Sequence, residues 1–201
     1  MGHLSFVSNL SMKLSFLASH GGSSARQIIE AINKGNLPGF EIGILITNNK
    51  DSVIYQWCLD NGIEVFHISG KTHPEHEDEA IKEALLSAGT ELIVLSGYMK
   101  KIGSKTLAQF GGKILNVHPS LLPKHGGQGM YGDFVHAAVL KAGETVSGAT
   151  IHWVNGAYDE GPVILQKQVP VLRGDTVESL GQRVRSIEGD LYIEALKKLT
   201  K

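Results

Sequence analysis

Apolar residues come in short unbroken blocks, separated by segments in which they recur every three or four positions. The blocks are residues 13–18 (KLSFLA), 41–47 (EIGILIT), 64–68 (EVFHI), 91–96 (ELIVLS) and 113–117 (KILNV). Runs this short, rich in Ile, Leu and Val, predict strands buried on both faces. Between them, residues 24–33 carry Ile28, Ile29 and Ile32 at helical spacing. Residues 51–61 close on Gly62, 75–88 form a charged amphipathic stretch, and 104–110 are a short one. Each predicts a helix. The β-α-β-α alternation predicts an α/β fold, an open, mostly parallel, twisted sheet with helices on both faces.

After residue 117 the rhythm changes. Residues 118–131 are a long loop rich in Gly and Pro, and a helix is predicted over 133–142. Two longer β segments, 147–154 and 162–171, are joined by the turn Asn155-Gly-Ala-Tyr-Asp-Glu-Gly161. A final helix is expected from 176 to 199. Without a linker or a low-complexity tract, 12–201 is expected to be one domain. Met12 stands just ahead of the first strand, so residues 1–11 are expected to be a leader or extension. In open sheets of this kind ligands lie outside the carboxyl ends of the strands. That singles out the loops 19–23, 97–103, 118–131 and 155–161.

Composition narrows the class. Apolar residues are 42% and charged ones 19% of 201, the balance of a folded chain. The 19 basic and 20 acidic side chains leave a net charge of -1, which argues against a nucleic-acid partner. Cys58 is the only cysteine, so no disulfide framework exists; this fits a cytoplasmic setting. No run approaches the ~18 apolar residues of a membrane span, and no basic region precedes an apolar stretch at the start.

Three segments carry chemistry. In Ser19-His-Gly-Gly-Ser-Ser24 the glycines admit close backbone approach, and a helix follows. The segment suits a phosphate, or is a Gly-rich turn capped by serine. It is neither a Walker loop nor a G-x-G-x-x-G fingerprint. Asn116 and His118 lie two apart at a strand end, so both can face one side. An amide and an imidazole there suit acyl transfer; a strand cap and a core histidine are the bland alternative. Asp159 could orient His118 if the fold brings them together. No histidine pattern matches a metal site. The polar run Thr72-His-Pro-Glu-His-Glu-Asp-Glu79 is expected to be a solvated loop and helix start.

Taken together, these segments resemble phosphoribosylglycinamide formyltransferase, within the folate-dependent formyltransferases. The resemblance covers residues 12–199. It rests on Ser19-His-Gly-Gly-Ser, Gly97-Tyr-Met-Lys-Lys-Ile102, Asn116-Val-His-Pro-Ser-Leu-Leu-Pro-Lys124 and Asp159-Glu-Gly-Pro-Val-Ile-Leu-Gln166, in that order. It implies formyl transfer from 10-formyltetrahydrofolate, as co-substrate, to the amine of glycinamide ribonucleotide in purine biosynthesis, without a metal. It implies Asn116, His118 and Asp159 as the catalytic trio. Gly22, Ser23 and Ser24 would hold the ribonucleotide phosphate, and Glu188 would contact the glycinamide. Met99, Lys100, Lys101, Ile102 and Asn116 would line the folate pocket, and 155–161 would close over the pteridine. Monomer and homodimer are both compatible with it.

The chain departs from the family at Ser24, where asparagine is common, at Lys100, where arginine is frequent, and at Gly189, where histidine is frequent. The loop 124–131 is also richer in glycine. A transfer-RNA formyltransferase would carry a basic C-terminal domain, and a formyltetrahydrofolate hydrolase an N-terminal one. A sugar-amine formyltransferase, a folate-binding protein without turnover and a dinucleotide enzyme are the remaining alternatives. The last lacks its glycine fingerprint and has Thr47-Asn-Asn49 where an acid should end the second strand.

Overall fold

The computed structural model describes residues 11–200, so residues 1–10 of the expected leader lie outside the described residues. In chain order the elements are β1 (Met12–Ala18), α1 (Ser23–Asn33), β2 (Phe40–Thr47), α2 (Val53–Asp60), β3 (Val65–His67), α3 (Glu77–Ser87) and β4 (Leu92–Leu95). They continue as α4 (Ser104–Phe110), β5 (Ile114–His118), α5 (Asp133–Lys141), β6 (Val146–Trp153), β7 (Val163–Pro170) and α6 (Val177–Leu199). Every expected element forms, its ends moved by at most two residues. The largest shifts are at helix starts. Ser52 caps α2, and Glu75 takes a left-handed φ of 63° that delays α3 to Glu77.

The sheet order is β3-β2-β1-β4-β5-β6-β7. The first five strands are parallel, whereas β6 runs antiparallel to β5 and β7 antiparallel to β6. Alternation along the buried strands feeds two cores. Leu14, Phe16, Leu92, Val94 and Leu115 face one core with α1 and α6, which adds Leu180, Val184 and Leu191. Leu17, Ile44, Ile46, Ile93 and Ile114 face the other, covered by Ile81 and Leu85 of α3 and Phe110 of α4. Each such side chain contributes about 1.5–3 kcal/mol by leaving water, which is why neither face of the sheet stays bare. Trp57 and Trp153 pack against the first core.

The long α6 starts at a reciprocal cap between Thr176 and Ser179 and ends with Lys197 and Lys198 in its last turn, where the helix dipole favours positive charge. Its Tyr192 is fully buried and donates its hydroxyl to the Leu95 carbonyl at 2.6 Å, pinning the helix to the end of β4. No helix among the described residues is long and apolar enough to cross a membrane.

Candidate active site

Strands β1 and β4 are neighbours at the point where the strand order reverses, and there the loops that follow them part. The loops are stitched together. The Met99 N–H donates to Ser19 Oγ at 2.9 Å, the Ser19 N–H to the Gly97 carbonyl at 3.3 Å and the Ala25 N–H to Ser96 Oγ at 3.1 Å. Helix α1 is capped by Gly22, at φ 55°, without a side-chain hydrogen bond. The serine cap is therefore absent, and the N–H groups of Ser23 and Ser24 open the helix toward the cleft.

The antiparallel turn into β6 builds the next part. Asn116 pairs with His152, and His118 with Thr150, so the four side chains share one face of the sheet. The His152 Nδ1–H donates to the Trp153 carbonyl at 2.9 Å. Its Nε2 therefore accepts, at 3.2 Å, from the Asn116 amide Nδ2. Burial pushes the His152 ring below its ordinary pKa despite the Trp153 carbonyl and Asp159, so it is a neutral prop that fixes which way the Asn116 amide points. The Thr150 hydroxyl donates to the Ser120 carbonyl and accepts from the Leu122 N–H, anchoring the loop after β5.

Because β6 runs backward, its carboxyl end lies beside the start of β5, where the Val154 N–H meets the Ile114 carbonyl. The strand-end rule thus holds for β1, β4 and β5 but not for β6. Loop 155–161 reaches the site by folding back, which brings Asp159 Oδ2 to 3.3 Å from His118 Nδ1. Asp159 sits at φ 59° and His125 at φ 56°, a left-handed conformation both residue types tolerate. His118 Nε2 lies 2.8 Å from the His125 carbonyl. A carbonyl only accepts, so Nε2 carries a hydrogen and Nδ1, beside Asp159, is the nitrogen that can gain or lose one. Burial raises the Asp159 carboxyl, but the His118 ring, the Gly127 N–H at 3.0 Å and His152 outweigh it; its pKa falls below the ordinary value and it is ionised at neutral pH.

One cleft of about 710 Å³ joins these parts. It is lined by Gly22, Ser23 and Ser24, by Met99, Lys100, Lys101 and Ile102, by Asn116, His118 and Asp159, and by Glu188. All sequence-derived site residues therefore meet in one place. Among the lining residues that the sequence did not point to are His152, His136 and Arg185. His152 had no signal before the strand pairing was known. His136 is buried on α5 with its Nδ1 unpartnered among the described residues. Arg185 precedes Glu188 by three positions on α6, a helical spacing that could have found it.

The model of the formyl transferase family matches residues 12–196. The chain belongs to that family. It is 39% identical over 194 residues to the chloroplastic phosphoribosylglycinamide formyltransferase of Vigna unguiculata, covering 93% of this chain and 60% of that protein. It is 35% identical to the phosphoribosylglycinamide formyltransferase of Haemophilus influenzae, covering 94% of this chain and 87% of that one. Against the plant relatives the chain spans only about three fifths of their length. A solved glycinamide ribonucleotide transformylase from Symbiobacterium toebii superposes with a TM-score of 0.87 at 32% identity, over 97% of this chain and 90% of that one.

The Gly189 departure has a packing reason. A Cβ there would fall 1.9 Å from Gln27 Oε1 of α1, so Gln27 fills the space a larger residue would need. Next to it, burial pushes the Glu188 carboxyl up to about 7, against the pull of Arg185. This sign is opposite to that of a salt-bridged acid. Below about pH 4.5 the carboxyl is protonated in both folded and unfolded chains. As pH rises toward 7 the unfolded chain ionises first and the folded protein loses stability. A Glu188→Gln variant is therefore expected to melt with the parent near pH 4.5 and above it at pH 8. Equal melting temperatures across that range would show that Glu188 is not held protonated.

Proposed function

We propose that this protein transfers the formyl group of 10-formyltetrahydrofolate to the primary amine of glycinamide ribonucleotide in purine biosynthesis. The observation that carries the reading is that an amide, an imidazole and an ionised carboxylate meet in one cleft that also has a helix N-terminus, Glu188 and the loop 99–102 in its lining. The phosphate would accept from the Ser23 and Ser24 N–H groups, as anions do at helix starts. Glu188 would receive the glycinamide amine. The donor would lie along 99–102, under loop 155–161.

In this reading the amine nitrogen attacks the formyl carbon, and a C–N bond forms as the carbonyl oxygen becomes an oxyanion. The Asn116 amide, aimed by His152, donates to it, and His118 donates through Nδ1, whose contact with Asp159 is the longer of its two. Each such donor is worth ~2.7–4 kcal/mol in transition-state stabilisation. Asp159 takes the proton released by the attacking amine and passes it, directly or through water, to the folate nitrogen as its bond to the formyl carbon breaks.

The test is a formyl-transfer assay that follows donor absorbance with and without glycinamide ribonucleotide. Turnover is expected only with the ribonucleotide present. Donor loss without it would make the protein a hydrolase, and donor retention with it would exclude this acceptor.

A further inference from the structure

The acidic run that opens α3 is part-exposed, and its carboxylates are engaged by another segment. Glu77, Asp78 and Glu79 are consecutive, and each reaches across to the stretch from Lys100 to Thr106. Both oxygens of Glu77 accept from Lys100 Nζ, at 2.6 and 2.8 Å. Asp78 Oδ2 accepts from the Lys105 N–H at 2.8 Å. Its Oδ1 accepts from the Thr106 N–H at 3.2 Å and from the Thr106 hydroxyl at 2.6 Å. Helix α4 has Gly103 at its N-cap position and so no capping side chain of its own. A Cβ on Gly103 would lie 2.1 Å from Asp78 Cγ, so the carboxylate of another helix occupies the place of a capping side chain.

Residues 100–102 make no backbone–backbone hydrogen bond among the described residues. Their position is set by the Ile102 side chain, which is buried in the second core, and by ties at the two ends. At one end the Met99 N–H is tied to Ser19. At the other the tether is Asp78 on α4, with Glu77 on Lys100. The tethers are unequal. The Glu77–Lys100 pair is part-exposed and of the kind that contributes little. Asp78 gathers three charge-assisted bonds at a helix start, two of them to the buried Thr106. Behind the loop a cleft of about 80 Å³, lined by Asp78, Ile81, Tyr98 and Thr106 among others, leaves room for the loop to retreat if the tether is cut.

We infer that Asp78 is a positioning residue for the formyl donor, holding the start of α4 so that the backbone of 99–102 forms the donor wall of the cleft. The inference rests on the donor placement proposed above. Asp78 acts on one end of the cleft only. Ser23, Ser24 and Glu188 belong to α1 and α6, which Asp78 does not touch.

The experiment varies donor and acceptor separately in steady-state kinetics of the full chain. Asp78→Ala is expected to raise KM for 10-formyltetrahydrofolate about tenfold. Its kcat and its KM for glycinamide ribonucleotide should stay within about twofold. Asp78→Asn keeps an acceptor oxygen for the N–H groups and is expected to recover most of the loss. An unchanged donor KM in folded Asp78→Ala, or a parallel rise of both KM values, overturns the inference. If Asp78→Ala does not fold, Asp78→Ser, whose short side chain cannot span both N–H groups, is read by the same two criteria. If the parent shows no formyl transfer, the reading of function fails by itself. The inference is then decided by calorimetric titration of a stable 10-formyl-dideazafolate, expected to bind the parent about tenfold more tightly than Asp78→Ala. Equal binding, or none to the parent, overturns it.

Discussion

His118→Ala should lose about a thousandfold in kcat while leaving both KM values near those of the parent. The ring is nearly fully buried, with one nitrogen on the His125 carbonyl and the other facing Asp159. In the proposed mechanism, removing it takes away a donor to the developing oxyanion; it also removes the ring that lowers the Asp159 pKa. Substrate contacts assigned to α1, α6 and loop 97–103 are untouched, so the loss should fall on kcat. Asp159→Asn separates charge from geometry. Its amide oxygen can still accept from the Gly127 N–H, so the loop keeps that anchor, but no carboxylate remains to take a proton. A kcat loss of about 10²- to 10⁴-fold is expected. Cooperative thermal unfolding within a few degrees of the parent would establish that both variants fold. Near-parental turnover in either would remove that residue from the mechanism.

The second large effect comes from a residue that touches no substrate. Gly161→Ala should lower kcat by about a hundredfold and destabilise the fold by about 1–3 kcal/mol, the usual cost of overpacking. The added Cβ would lie 1.7 Å from the Trp153 carbonyl oxygen, a backbone atom that cannot swing aside. Trp153 is held there by its own N–H on the Pro162 carbonyl and by the His152 ring on its carbonyl. The loop would have to leave the sheet edge, taking Asp159, two residues earlier, away from His118. Gly156→Ala is the matched control. It lies in the same loop, and nothing stands within 4 Å of the Cβ it would gain. Kinetics and chemical denaturation of the pair decide the matter. If Gly161→Ala behaves like Gly156→Ala, the placement of Asp159 does not depend on this close approach.

Both predictions start from motifs visible in the chain, yet their force comes from neighbours that were not. Asn116 and His118 could be assigned to one face because strand side chains alternate, a property of two residues of spacing. Asp159 could only be nominated. Nothing local says that a turn after a β segment folds back over the preceding strand. The Gly-Gly-Ser-Ser loop could be read as an anion site or as a serine cap, and only the structure, in which Gly22 caps the helix, removes the serine cap. The run from Thr72 to Glu79 is the largely exposed loop and helix start that was expected, but the reach of Asp78 to α4 was not legible in it. A solvated acidic turn and one that caps a distant helix have the same local pattern.

What the amino-acid sequence determined by itself is what periodicity and turn chemistry encode over a few residues. That covers the thirteen elements, the two-sided burial of β1, β2, β4 and β5 but not of the edge strand β3, where Phe66 is exposed, and the loops at the ends of β1, β4 and β5. The tertiary structure decided the strand order and the reversal at β6. With them it decided the pairing of Asn116 with His152, the approach of Asp159 to His118, and the tie from Tyr192 of α6 to the end of β4. These contacts join residues tens of positions apart. Their formation depends on how whole layers bury apolar surface together, and no window of sequence short enough to show a period contains that information.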